Sequence, residues 1–222
     1  MSKISLKHSG GNVVSLNSPS SAPTSADVAF KLPNADGTSG QAIVTDASGN
    51  LSFAGTGKIL QVKTNTTQGS TGSLHVTPTL TYVDIPDQNV TITPSATSSK
   101  ILLSFHQMGE TASDNHHFVW GVKRAISGGA TTVIEAPTSG NRTSALTVMT
   151  RSHGTDNDTT IDAAHCTNYI DSPNTTSAVT YTVQIKNGES TNYYYYNRNH
   201  SAADTQYRER GLSWITVMEI GA

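Results

Sequence analysis

An all-β fold is expected from three observations on this 222-residue chain. No stretch of a dozen residues carries apolar side chains at helical spacing, whereas short alternating runs rich in Thr, Val, Ile and Tyr recur along the sequence. Turn signals such as Ser127-Gly128-Gly129, Ser139-Gly140-Asn141, Ser172-Pro173-Asn174 and Asn187-Gly188 separate those runs. Hydrophobic residues make up 35% and charged residues only 14%, so the polarity comes from Ser, Thr, Asn and Gly, as on exposed sheet faces, and not from the high charge of a disordered chain.

Residues 1–57 read as a core-poor stem. Pro19, Pro23 and Pro33 fix φ and remove ladder donors, while Asp36-Gly37 and Ser48-Gly49-Asn50 are turns. Short strands are expected at Gln41–Thr45 and Asn50–Phe53. The apolar residues Val13, Val14, Leu16, Val28, Phe30, Leu32, Ile43, Val44, Leu51 and Phe53 are too few for a private core. A stem of this kind needs a host surface or copies of itself, and an intertwined homotrimer pools such residues on a shared axis.

Residues 58–222 read as the head. Strands are expected at Ile59–Thr64, Leu80–Ile85, Val90–Thr93, Ile101–Gln107, Phe118–Arg124, Thr131–Glu135, Ala145–Arg151, Ala164–Asp171, Val179–Ile185, Tyr193–His200 and Leu212–Ile220. In Val179–Ile185, Val, Tyr, Val and Ile share one face and Thr, Thr and Gln the other. Asn187-Gly188 is a hairpin signal, since both residues tolerate positive φ. The last segment is apolar on both faces, with Leu212, Trp214, Thr216, Met218 and Ile220 opposite Ile215 and Val217. That marks a central strand, or one whose second face meets another subunit. The fold class expected is an all-β chain: a short intertwined stem, then an antiparallel, jelly-roll-like β-sandwich, assembled as a homotrimer.

Composition excludes several functions. The net charge is −2 with no basic block, so no nucleic-acid partner is expected. No apolar run approaches the length of a membrane span, and no membrane insertion is expected. Cys166 is the one cysteine, which rules out an intrachain disulfide. The first residues, MSKISLKHSGG, lack an apolar signal core, so synthesis in a cytoplasm is expected. Sequons at Asn65, Asn141 and Asn174 are what chance gives in a chain rich in Asn, Ser and Thr.

The stretch FKLPNADGTSGQAIVTDASGNLSF, Phe30 to Phe53, resembles a linker of tail-fibre and other structural proteins of marine bacteriophages, cyanophages above all. The body resembles a C-terminal domain that often follows it, through Ile59-Leu60-Gln61-Val62, Val90-Thr91-Ile92-Thr93-Pro94, Thr97 to Leu102, Gly121-Val122-Lys123-Arg124, Asp171 to Ser177, Tyr181-Thr182-Val183-Gln184 and Arg210 to Ile220. The set is specific, although each piece is mainly strand and turn chemistry. The resemblance implies a homotrimeric virion component with a β-rich tip, made in the cytoplasm of an infected bacterium. It brings no catalytic motif, and it leaves tail and head positions open.

Candidate sites follow from local chemistry. Tyr193-Tyr194-Tyr195-Tyr196 puts two rings on each strand face, one pair for the core or a subunit seam and one for solvent, where rings stack on sugars. Tyr194 and Tyr196 are expected as the exposed pair. With Asn197 and Arg198, and with His116 and His117 from another loop, they form the receptor-binding candidates; Asn192 and His200 lie nearby. Lys3, Ile4, Leu6, His8 and Val13 are the candidates for docking to the particle. His165-Cys166 as a thiol–imidazole pair and Asp156-Asn157-Asp158 as a calcium loop each lack a required partner, while His116 and His117, adjacent on a strand, point to opposite faces, so a metal would take one His per chain on a threefold axis, and exposed loop histidines are the expectation. Glu110, Asp114, Glu135, Asp162 and Glu189 show no pairing that glycan hydrolysis would need. Arg208, Glu209 and Arg210 suit an intersubunit ion pair or a solvated edge.

The expected role is a virion structural protein without catalysis, metal or cofactor: a trimeric tail-fibre or spike subunit that attaches to the host surface. Its partners would be a tail nozzle or adaptor protein and a bacterial surface polysaccharide or outer-membrane receptor. The alternative is a capsid decoration or head-fibre protein, held on the shell by its N-terminal segment.

Overall fold

The computed structural model describes residues 3–7, 9–11, 13–17, 20–21, 30–38, 41–46, 48–55, 59–67, 75–111, 117–149, 160–188, 193–201, 205–206 and 208–221. The chain divides into two compact units, Met1–Thr56 and Gly57–Ala222. Every named element is a strand, and no helix occurs among the described residues.

The N-terminal unit holds two antiparallel hairpins. The first pairs β1 (Lys3–Lys7) with β2 (Val13–Asn17), which appear where the sequence suggested no strands. The second pairs β3 (Gln41–Thr45) with β4 (Leu51–Gly55) around Gly49, whose φ of 85° suits glycine. Where the burial of this unit's side chains is described, no hydrophobic one is buried: Leu32 is 79%, Phe30 65%, Ile43 58% and Val13 51% exposed, and Leu51 and Phe53 are half-buried. A two-stranded ribbon has no second sheet to bury its alternating residues against, and the Phe53 ring lies against the loop at Gly37 instead.

The C-terminal unit is β-sandwich-like. One sheet orders β10 (Thr131–Ile134), β9 (Phe118–Ile126), β13 (Val179–Asn187) and β7 (Val83–Ile92), with β11 (Thr147–Val148) also on β9. The other orders β5 (Ile59–Thr67), β15 (Ser213–Ile220), β8 (Lys100–Thr111), β14 (Tyr194–Tyr196) and β6 (His75–Val76), with β12 (Asp162–Asp171) along β8. All these pairings are antiparallel. The two inner faces share one core. Ile85, Trp120, Val122, Val179, Tyr181, Val183 and Ile185 come from the first sheet, and Ile101, Leu103, Phe105, Tyr194, Ile215 and Val217 from the second.

The alternation read in Val179–Ile185 is present, with Val179, Tyr181, Val183 and Ile185 fully buried. β15 is a central strand between β5 and β8, with Ile215 and Val217 in the core and Trp214, Met218 and Ile220 half-buried on the outer face.

Three expectations change. The strands expected at Leu80–Ile85 and Val90–Thr93 are replaced by one strand, β7, which starts at Val83, ends at Ile92 and carries a bulge where Asp87 adopts φ 60° after the donor-less Pro86. Asn187-Gly188 does not close a two-residue hairpin. β13 and β14 lie in different sheets, and Asn187 is buried and paired with Phe118. Tyr193–His200 shortens to β14 because Asn197, at φ 62°, turns the chain.

Polar clips join the layers. Asp171 of β12 accepts from Arg124 Nη1 of β9 at 2.7 Å and from the Tyr181 hydroxyl of β13 at 2.7 Å. Burial, then the bond to Asp171, pushes the Tyr181 phenol up, so it stays a donor. Glu219 of β15 accepts from Ser95 N (2.7 Å) and Oγ (2.6 Å) and from Gln61 Nε2 (2.6 Å). Its burial raises the carboxyl pKa, but these bonds outweigh that and hold it below the usual range. An Asp171→Ala variant should lose about 1–3 kcal/mol in urea unfolding, because the half-buried Arg124 guanidinium and the core phenol of Tyr181 lose their acceptor. An unchanged midpoint would show that the clip does not hold the sheets.

Candidate functional site

β14 presents the tyrosine run to both faces, and its register on β8 decides which rings go where. Tyr194 stands opposite Thr111, Tyr195 opposite Glu110 and Tyr196 opposite Gly109. Gly109 faces inward. A Cβ there would sit 2.4 Å from the Tyr194 hydroxyl oxygen, so the missing side chain makes room for that ring. Tyr194 is fully buried and edge-on to Trp120, with centroids 5.4 Å apart, and Tyr196 is 6% exposed. The exposed pair is therefore Tyr193 and Tyr195. The assignment of Tyr194 and Tyr196 as the exposed receptor rings is corrected by one residue of register, which swaps faces in any strand.

Asn197 is corrected as well. It is fully buried, its Nδ2 donates to Thr67 O at 2.9 Å, its N–H to Met108 O at 2.8 Å, and its Oδ1 accepts from the Ser213 hydroxyl. Ser213 Oγ in turn accepts from Gln107 Nε2 (3.0 Å) and Met108 N (2.9 Å), which uses its whole bonding capacity. Asn197 is thus a tie between β14, β8, β5 and β15.

The outer face carries a continuous group of rings. His75 of β6 lies 5.1 Å from Tyr193, edge to face, and 5.8 Å from Tyr195. Tyr193 and Tyr195 are 6.2 Å apart, and His200 lies 4.8 Å from Tyr195. The Arg198 guanidinium sits 4.6 Å from the Tyr195 centroid, within cation–π range. Arg198 Nη1 donates to Asn199 O (2.9 Å) and His200 O (3.0 Å), which pins the guanidinium in place. Tyr193 and His75 are exposed, and Tyr195, Arg198 and His200 half-buried. Burial raises the Tyr195 phenol pKa, with Arg198 opposing, so the hydroxyl remains a donor. Glu110, fully buried beneath, accepts from His200 N.

Sequence reading found Arg198 here but missed His75, which lies more than a hundred residues away and arrives by pairing with Tyr195. His200 was noted beside the tyrosines, and the structure brings its ring onto Tyr195.

The remaining candidates scatter. His117 is exposed just before β9, where its carbonyl accepts from Gly188 N at 2.9 Å. His116, His8, Asp114, Glu189 and Asp156–Asp158 lie outside the described residues. Lys3, Ile4 and Leu6 lie in β1, and Val13 opens β2 with its side chain exposed. His165 and Cys166 point to opposite faces, His165 opposite His106 and Cys166 opposite the core residue Phe105, and burial raises the thiol pKa. Glu135 accepts from Lys186 at 3.0 Å and from Tyr82 at 3.0 Å, so it serves an ion pair. Glu209 accepts from Ile161 N at 2.9 Å and so ties the entry of β12 within the same chain. Among the described residues no group of three or more His, Cys, Asp or Glu gathers as a metal site.

A second feature occupies the same sheet's outer face. Leu102, Ser104, Trp214, Thr216 and Met218 line a shallow hollow of about 210 Å³. His106 stacks on Trp214 at 6.0 Å beside it. Burial, then the facing His165, lowers the His106 pKa, so this imidazole is neutral at pH 7.

No protein-family model matches the chain, and no curated protein matches it closely enough to count as a relative.

Two outcomes test this geometry. Tyr194→Ala should cost about 3–5 kcal/mol of stability through the cavity it opens, whereas Tyr195→Ala should leave the melting temperature nearly unchanged; equal losses would sink the assignment of faces. His106 should titrate by NMR below the ordinary imidazole value of about 6.5, and His165→Gln should move it back up. The folded state binds this proton less readily than the unfolded chain does. The His106 contribution to stability is therefore complete above the unfolded value and lost as pH falls through the folded one.

Proposed function

We propose that this protein is a virion structural protein: a homotrimeric fibre or spike subunit in which residues 1–57 dock to the particle and form the stem, and residues 58–222 form a head that attaches to the host surface. The observation that carries the reading is the N-terminal unit. It forms two hairpins, yet Val13, Phe30, Leu32, Ile43 and Val44 are exposed, and no hydrophobic side chain whose burial is described there is buried. An isolated two-stranded ribbon is marginal in water, and pooling Phe30, Leu32, Ile43 and Val44 with the same residues of two further copies would supply the missing core. The resemblance of Phe30 to Phe53 to phage fibre linkers points the same way, as does the head: a sheet-built body whose exposed aromatic platform suits multivalent weak binding.

The chain should sediment as a trimer at micromolar concentration, and deletion of residues 1–57 should weaken that assembly while leaving the β signal of the head intact. A fully monomeric, well-folded chain would refute the assembly. Gold-labelled antibodies against residues 58–222 should mark the tail end of intact virions. Label spread over the capsid would move the role to shell decoration, and unlabelled particles would refute both.

A further inference from the structure

The ring platform combines three properties that together select a ligand class. First, its aromatic surface is open. Tyr193 is 46% exposed, and the rings of His75, Tyr193, Tyr195 and His200 follow one another at 4.8 to 6.2 Å. Aromatic faces of this kind pack against the C–H face of a pyranose, and phenol and imidazole edges bond its hydroxyls. Second, the platform holds a fixed cation. Arg198 is anchored through Nη1 by two backbone carbonyls and stacked on Tyr195, and among the described residues no carboxylate lies within ion-pair distance of it. With Nη1 held by those carbonyls and Nε buried, Nη2 is left to donate to a carboxylate, and the charge strengthens that bond. Third, the carboxylate directly beneath the rings is withdrawn. Glu110 is fully buried under Tyr195 and turned to the His200 amide, so among the described residues an anion arriving at Tyr195 meets rings and the Arg198 guanidinium.

We infer that this platform binds an acidic saccharide, with a pyranose ring on Tyr195 and Tyr193 and its carboxylate at Arg198, while His75 and His200 take neighbouring hydroxyls. A nucleic acid would also offer stacking and anions, but it is held by a stripe of Lys and Arg that tracks successive phosphates, and the sequence has no basic block to form one. The assignment deepens the attachment reading and rests on it for its biological meaning, although the binding itself is a property of the isolated head. Each site is open and lightly enclosed, so single-site affinity should be weak, and attachment would depend on three or more sites acting together.

The test uses the purified full chain with hexagalacturonate, a heparin hexasaccharide and maltohexaose, read by saturation-transfer NMR and calorimetry. At least one of the two acidic oligosaccharides should bind, and maltohexaose should bind about tenfold more weakly, which corresponds to the loss of one charge-assisted contact. Arg198→Gln should bring the acidic ligand down to the maltohexaose level. Tyr195→Ala should lower its affinity about tenfold, and Tyr195→Phe should retain most of it. His75→Ala, at the sheet edge, should weaken binding too and serves if Tyr195→Ala does not fold. Equal binding of maltohexaose would overturn the charge selection. Undiminished binding by both Tyr195→Ala and His75→Ala, or saturation transfer to none of the three sugars, would overturn the site. Each of these outcomes leaves the virion-labelling result untouched, so a failed sugar site and a failed fibre assignment are told apart.

Discussion

The two-sided pairing of β8 is the constraint on which the rest of the C-terminal unit depends. Along one edge it binds β15 and then β14, and along the other it binds β12. Its inward residues Ile101, Leu103 and Phe105 are fully buried, and its outward residues His106 and Glu110 underlie the two surface features. Because residues two apart share a face, fixing β8 in the core fixes what its three neighbours show to solvent. The identity of the exposed tyrosines is a consequence of that register and of the room that Gly109 leaves for Tyr194.

A buried polar framework then keeps this register unique. Asn197, Ser213 and Gln107 bond one another where β14 meets β15 on β8, Asp171 joins Arg124 and Tyr181 across the layers, and Glu219 closes on Ser95 and Gln61. A strand slip would move apolar residues to the surface and leave these groups buried without partners, which costs more than either loss alone. The same framework makes the platform rigid. Arg198 follows Asn197 directly and His200 comes three residues after it, so their positions over Tyr195 are held by buried bonds close by in the chain and not by the surface itself.

The two units solve burial in different ways. In the C-terminal unit each sheet covers the other, and alternating strands are sufficient. In the N-terminal unit the same alternation leaves Phe30, Leu32, Ile43 and Val44 exposed, since a ribbon has no second layer. The polar, lightly charged composition is compatible with both, which is why composition predicts β structure without predicting a core.

Local chemistry in the sequence was enough to determine the all-β class, the alternation of Val179–Ile185, the two apolar faces of the last strand and the turns at Gly49 and Gly128, because strand period and positive-φ glycine are properties of neighbouring residues. The tyrosine run was legible as a two-faced strand, but its inward face was not, because four identical residues give a strand no polarity of their own. That choice was made by Gly109 and Trp120, far away in the chain. Only the tertiary structure brought His75 beside Tyr195, turned Asn197 from a surface candidate into a buried tie, and carried β13 and β14 into opposite sheets despite the hairpin signal at Asn187-Gly188. Long-range pairing decides such matters, and a sequence read residue by residue contains the pieces of it without their register.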